Sequence, residues 1–115
     1  MSRSAIKAGI RKARAISQKA RHHRSFHGVS LVRGGVLLGF GFNHDEIHAE
    51  VAAIRLYGGN NNLRGSTLIS TRVTKTDHLA NARPCVDCMH AIRSAGIKRI
   101  IYSDNLGVMR TEKVS

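Results

Sequence analysis

Hydrophobic positions recur along the chain with two periods, and the changes between them mark the elements. Between Ser4 and about Arg21, Ile6, Ile10, Ala13, Ile16 and Ala20 fall at helical spacing with basic residues on both sides, which predicts an amphipathic helix. Its apolar stripe is narrow and lacks large or aromatic residues, so it suits packing on a sheet better than lying on a membrane. Two β-like runs follow, Phe26 to Arg33 and Val36 to Asn43, joined by Gly34-Gly35, a pair suited to the positive φ values of a hairpin turn. In the second run Val36, Leu38, Phe40 and Phe42 alternate with Leu37, Gly39 and Gly41, so one face is bulky and the other is stripped for close approach. His44-Asp45-Glu46 opens a second helix, with Ile47, Val51 and Ile54 facing inward, and Gly58-Gly59 ends it.

After an Asn60-Asn61-Asn62 loop, Ser66 to Val73 reads as a strand, with Leu68, Ser70 and Arg72 on one face and Thr67, Ile69, Thr71 and Val73 on the other. Thr74 to Arg83 is polar. Pro84 stands where a helix can begin, and Val86 to Ala95 runs to a stop at Gly96. Ile97 to Tyr102 is an apolar strand, Asp104-Asn105-Leu106-Gly107 is turn chemistry, and Val108 to Val114 returns as a final strand. The order is α-β-β-α-β-α-β-β, an α/β pattern.

Composition narrows this picture. A chain of 115 residues has length for one core, so residues 1–115 are expected to form a single domain. With 42% hydrophobic residues, no Trp, three Phe and two Tyr, that core must be mostly aliphatic. No apolar run approaches the roughly 20 residues that span a bilayer, and no apolar stretch follows the basic N-terminus as in a secretory signal. An intracellular, cytoplasmic protein without membrane association is expected. The formal charge of +12 is uneven, because no acidic residue precedes Asp45 while Arg3, Lys7, Arg11, Lys12, Arg14, Lys19, Arg21, Arg24 and Arg33 all do. That asymmetry fits either a solvated helix face or a nucleic-acid footprint. A lean core and an exposed basic helix are also compatible with a homo-oligomer, dimer or tetramer.

The candidate chemistry lies in two short motifs, His48-Ala49-Glu50 and Pro84-Cys85-Val86-Asp87-Cys88, each at the start of a helix. In a reducing compartment a C-x-x-C pair is a metal or redox site more often than a disulfide. A thioredoxin-type dithiol belongs after an early strand, whereas this pair comes late and has His-x-Glu upstream, which favours metal. Cys85 and Cys88 can reach one ion, the helix N-terminus favours their thiolates, and His48 can add a nitrogen ligand. Three protein ligands leave tetrahedral zinc one position for water, while a structural site is normally closed by a fourth. Such water loses a proton near neutral pH, and Glu50 is placed to carry that proton as an acid-base group. The rival is a closed structural site using both cysteines and two of His22, His23, His27, His78 or His90. His23 and His27 precede the cysteines, however, and fall between elements. With His44, these histidines are expected to be solvent-facing or to stand at helix ends.

H-x-E followed by P-C-x-x-C is the signature of zinc nucleobase deaminases. With both motifs on this element order, the chain resembles the cytidine deaminase superfamily over nearly its whole length. Phe26-His27-Gly28-Val29, Gly34-Gly35-Val36 and Gly39-Phe40-Gly41-Phe42-Asn43 look like that family's opening hairpin. Ala82 to Cys88 followed by Ala95 to Asp104 resembles its small viral, bacterial and algal members. The resemblance implies a three-layer α-β-α sandwich on a mixed five-stranded sheet with an antiparallel last strand. It also implies Zn2+ on His48, Cys85 and Cys88, with Glu50 as catalytic acid-base. Asn43 would contact the sugar or base, Phe26 would stack on it, and the Ala49 N–H and Pro84 carbonyl would bind the base. A turn-capping Asn43 and a core Phe26 are the alternatives.

The expected activity is hydrolysis of a cytosine base to uracil with release of ammonia. The substrate is a nucleoside, a nucleotide or a single-stranded nucleic acid, and the net charge favours phosphate-bearing forms. Two rivals stand beside it: a zinc-stabilised, basic nucleic-acid-binding protein without catalysis, and an adenine deaminase of the same superfamily. The intact Glu50 argues against the first. An antiparallel last strand, which leaves no room for a helical crossover, argues against the second.

Overall fold

A computed structural model describes residues 26–43, 48–74 and 78–114, together with Arg11 and Ala15. Arg11 and Ala15 are helical and exposed; the rest of the expected basic helix over residues 4–21, and with it the third layer, lies outside the described residues. Strand β1 (Phe26–Arg33) turns at Gly34 and Gly35, with φ of 55° and 85°, into β2 (Val36–Phe42). Helix α1 (Ala49–Tyr57) follows, then β3 (Thr67–Val73), the two-residue β4 (Leu79–Ala80), α2 (Val86–Ser94), β5 (Arg99–Ser103) and β6 (Met109–Lys113).

The sheet runs β2-β1-β3-β5-β6, with β4 pairing to β3 off this path. Among the described residues only β3 and β5 are parallel, joined by the α2 crossover, and β6 returns antiparallel on β5 as expected. The mixed sheet therefore has the five expected strands and a short sixth within the polar 74–83 segment. That strand is held by side chains the sheet buries. Ser103 Oγ donates to the Ala80 carbonyl (2.7 Å) and Ser70 Oγ to the Ala82 carbonyl (2.9 Å), while the Ala82 N–H donates to the Ser103 carbonyl (2.8 Å). The polar stretch is thus laced to β3 and β5 just before Pro84 and Cys85.

One face of the sheet carries Val29, Leu31, Leu68 and Ile100, packed against Ala49 and Ala53 of α1 and Ile92 of α2. The other carries Val32, Ile69 and Ile101, also buried. Both clusters are aliphatic. The face that the glycines strip in β2 is the one α1 occupies. A Cβ at Gly41 would stand 2.8 Å from the Ala49 carbonyl oxygen and 2.9 Å from Ala53 N and Cβ, and one at Gly39 would meet the Tyr57 ring at 2.5 Å.

Two sequence expectations need correction. Of the three residues expected to face inward, Ile47 lies outside the described residues, Ile54 is half-buried but packs against the helix-side core, and Val51 is only half-buried; the buried residues of α1 are Ala49, Glu50, Ala52 and Ala53. Contact this close to a glycine-bearing strand admits only small side chains against the backbone. The alternation of β2 is also broken, because Leu31 opposes Gly39 and Val32 opposes Leu37, leaving Leu38 as a bulge residue. Leu38 consequently packs with the helix-side core.

Candidate active site

Helices α1 and α2 begin beside each other, and the residue that caps each is a potential metal ligand. His48 and Cys85 occupy the N-cap positions with extended backbone, and neither side chain makes a capping hydrogen bond. Ser, Thr, Asp or Asn at such positions satisfies orphan N–H groups and stabilises a helix by about 0.5–2 kcal/mol relative to Ala. Here both caps forgo that contribution and turn toward each other. His48 Nδ1 lies 3.2 Å from Cys88 Sγ and 3.9 Å from Cys85 Sγ. All three donor atoms fall within 4.8 Å of one another, the one such group among the described residues. A tetrahedral site with Zn–S of about 2.3 Å and Zn–N of about 2.0 Å requires sulfur and nitrogen about 3.5 Å apart. The donor set and its spacing fit zinc.

Cys88 is buried while His48 and Cys85 are exposed, so the cluster opens to solvent on one side. Burial, followed by the neighbouring Glu50 charge, pushes the Cys88 thiol well above its ordinary range. A bound dication reverses that preference and holds the thiolate. Glu50, two residues past the cap, is 1% exposed, and its Oε1 has no hydrogen-bond partner. Both ends of the motif line a cavity of about 290 Å³ walled by His27, Asn43, His48, Glu50, Arg72, Arg83 and Cys85. Arg72 Nε, from the end of β3, is likewise buried without a partner. Arg83 is tied to the Glu112 carboxylate on β6 through Nε at 2.9 Å and Nη2 at 3.4 Å.

Residues 3–104 match the cytidine and deoxycytidylate deaminase zinc-binding region. The chain belongs to that deaminase family. No curated protein matches this deaminase by sequence. Among solved structures it is similar to the dCMP deaminase of cyanophage S-TIM5, seen in apo form and in complex with dCMP and dUMP. Both share 25% identity and a TM-score of 0.70 over 91% of this chain, and cover 86% and 85% of the phage chain. The fold also matches Acinetobacter baumannii RibD at 18% identity and a TM-score of 0.66, over 88% of this chain and 28% of that one. Among the described residues no helix of the deaminase is long and apolar enough to cross a membrane.

The remaining sequence candidates are distributed as follows. Asn43 lines the cavity, its Oδ1 accepting from the His27 N–H at 3.2 Å. Ala49 is fully buried as the first residue of α1, where its N–H has no intrahelical acceptor. Pro84 is buried immediately before Cys85, and Phe26 opens β1 opposite Val73. His22, His23 and His44 lie outside the described residues, and His78 and His90 are exposed as expected. His27 is the exception. It is 5% exposed, with Nδ1 3.5 Å from Glu50 Oε1 and Nε2 2.5 Å from Ser70 Oγ. The strand alternation held the signal, because His27 shares a face with Val29 and Leu31. Arg72 and Arg83 were also not singled out as site residues, although Arg72 lies on the same strand face as Leu68 and Ser70.

Proposed function

We propose that this deaminase hydrolyses the exocyclic amine of a cytosine nucleotide, using zinc on His48, Cys85 and Cys88 and Glu50 as the acid-base group. One observation carries the reading. Two members of the His/Cys/Cys cluster, His48 and Cys85, line one cavity together with Glu50, which has a buried carboxylate oxygen without a donor, and Arg72, which has a buried guanidinium N–H without an acceptor. A ligand that offers a proton to Glu50 and an anionic or carbonyl oxygen to Arg72 suits these two groups.

Zinc at this position supplies the acidity that makes water a nucleophile near neutral pH. Glu50 would carry the two protons of the attacking water in turn, the first to the ring nitrogen and the second, from the newly bonded hydroxyl, to the departing amine. The C–O bond forms, the C–N bond breaks, and the products are the uracil base and ammonia. In this reading Asn43 contacts the sugar or base, the Ala49 N–H and Pro84 carbonyl hold the base edge, and Phe26 stacks on it. Arg72 provides the positive wall for a phosphate, while Arg83, which also lines the cavity, has its charge offset by Glu112. The antiparallel β5–β6 pair, the cavity's Arg72 and the likeness to a dCMP deaminase structure containing dCMP and dUMP all favour a cytosine nucleotide.

Zinc-loaded protein incubated with deoxycytidine, dCMP, adenine nucleotides and single-stranded DNA, with products read by mass, tests this. Ammonia and dUMP are expected from dCMP. Glu50→Gln lowers kcat by about 10²–10⁴-fold with zinc retained. Arg72→Gln raises KM for dCMP by about 10-fold or more, with little effect on deoxycytidine. Release of ammonia from adenine nucleotides alone, or wild-type turnover in Glu50→Gln, overturns the reading.

A further inference from the structure

Charge is balanced differently at the two ends of the sheet. Toward the cavity end the exposed arginines have carboxylates, Arg83 pairing with Glu112 and Arg110 with Asp104, each at 2.9 Å. At the opposite end Arg33 closes β1, Arg64 stands just before β3, Lys98 precedes Arg99 at the start of β5, and Lys113 closes β6. Backbone contacts hold these positions side by side. Arg33 Nη1 donates to the carbonyls of Asn62 (2.5 Å) and Arg64 (3.3 Å), the Lys98 N–H donates to the Ser66 carbonyl (3.0 Å), and Arg99 pairs with both Thr67 and Lys113. Arg33, Arg64, Lys98 and Lys113 are exposed and Arg99 is half-buried. Among the described residues none of the five takes part in an ion pair.

Such a row opposes folding, because unneutralised cations repel one another and Arg99 stands directly across from Lys113, a like-charge cross-strand pair. A charge on the edge strand β6 discourages pairing with another sheet, which accounts for Lys113 but not for the other four. We propose that the row is a docking surface for a nucleic-acid backbone, held through its phosphates without reading bases. It crosses four neighbouring strands, a width of about 14 Å. That width faces about four phosphates of one strand, at about 3.4 Å each. Arginine forks and lysine point charges both suit phosphate oxygens. None of the five is aromatic, so the row lacks the stacking platform that would give contact with bases. Nor does it carry the large apolar side chains by which a membrane-surface element inserts. Arg33 is also the last of nine basic residues that precede the first acidic one, Asp45, so the most basic stretch of the sequence runs into the row. The seven residues of β3 separate the row from the Arg72 end of the cavity by about 20 Å. A polymer on the row therefore leaves the cavity open to a small substrate.

The test uses zinc-loaded full-length protein and a fluorescent thymidine oligonucleotide, which offers no cytosine, so its outcome does not depend on the substrate proposed above. Anisotropy titrations over a range of salt concentrations should show binding that weakens steeply with salt. Lys98→Gln/Lys113→Gln should weaken binding by about 10-fold or more at low salt and make the log–log salt slope shallower by about 1–2. Lys98→Arg/Lys113→Arg, which keeps the charges, should bind within about twofold of wild type. Asn105→Asp/Leu106→Glu makes the same change in net charge at the far turn between β5 and β6, and should cost about threefold at most. Saturating dCMP should displace none of the oligonucleotide. No binding by the wild type, equal losses in the two charge-lowering variants, displacement by dCMP, or tighter binding to phosphatidylserine vesicles than to the oligonucleotide each overturns the proposal. Should Lys98→Gln/Lys113→Gln fail to fold, Arg64→Gln/Lys113→Gln carries the same comparison.

Discussion

Removing an imidazole from water disfavours its charged form, and His27 feels this most because burial is the largest influence on it. Arg72 and His48 push in the same direction, and Glu50 is the one neighbouring charge that opposes them. In the unfolded chain the ring titrates near 6.5, so below that pH the unfolded state binds a proton that the native state refuses. Stability contributed by neutral His27 is then present above about pH 6.5 and is lost as pH falls toward the lower native value, at up to about 1.4 kcal/mol per pH unit. Urea unfolding at pH 6.5 and 5.5 should show a steeper loss for wild type than for His27→Asn, by about 1 kcal/mol over that interval. Equal slopes would mean that His27 is not held neutral. At this scale the zinc motifs were legible because two spaced signatures reinforce each other. A lone histidine inside a β-run has no spacing to announce it, and only strand alternation put it on the core face.

Between elements, the contact that places the site is the close approach of α1 to β2. Gly41 leaves room for the Ala49 carbonyl and for Ala53, and Ala49 directly follows the His48 cap. Adding one methyl group in Gly41→Ala meets backbone at 2.8 Å, which flexible side chains cannot relieve, so α1 must move. A destabilisation of about 1–3 kcal/mol by denaturant unfolding is expected, with weakened zinc binding because His48 and Glu50 travel with the helix. Gly59→Ala is the matched control: its Cβ would meet nothing within 4 Å, so a change within about 0.5 kcal/mol is expected. Comparable losses in the two variants would show that the helix–strand spacing does not set the site. The sequence anticipated a stripped strand face, but it did not reveal what approached it. Helical spacing favoured Val51 and Ile54 as inward residues, and Ile54 does pack on the core, but the separation between backbones gives the most buried positions to alanines. Periodicity reports which residues share a face, and the depth of contact is fixed only when the partner strand is known.

For the molecule as a whole, the parallel pairing of β3 and β5 brings the two helix starts together, since α2 is the crossover between them and α1 leads into β3. The element order implied this layout, yet the lacing of residues 79–82 onto Ser70 and Ser103 depends on long-range register that no local pattern encodes. His48 comes from one helix cap, and Cys85 and Cys88 come from the cap and first turn of the other, separated by 37 and 40 positions. An ion held by all three joins two segments whose proximity exists only in the folded state. Binding to that state alone raises stability by RT ln(1 + [Zn]/Kd), about 4 kcal/mol when zinc exceeds Kd by about a thousandfold. For a domain of this size that corresponds to a rise in Tm on the order of 10 °C. Calorimetry of zinc-loaded and chelated protein should show this difference, and Cys88→Ser should reduce most of it while leaving the chelated midpoint nearly unchanged. Identical midpoints with and without zinc would mean that the cluster does not bind the ion across the two helices. Glu50→Gln separates the two roles of the site, because it should retain the zinc-dependent rise in Tm while losing turnover.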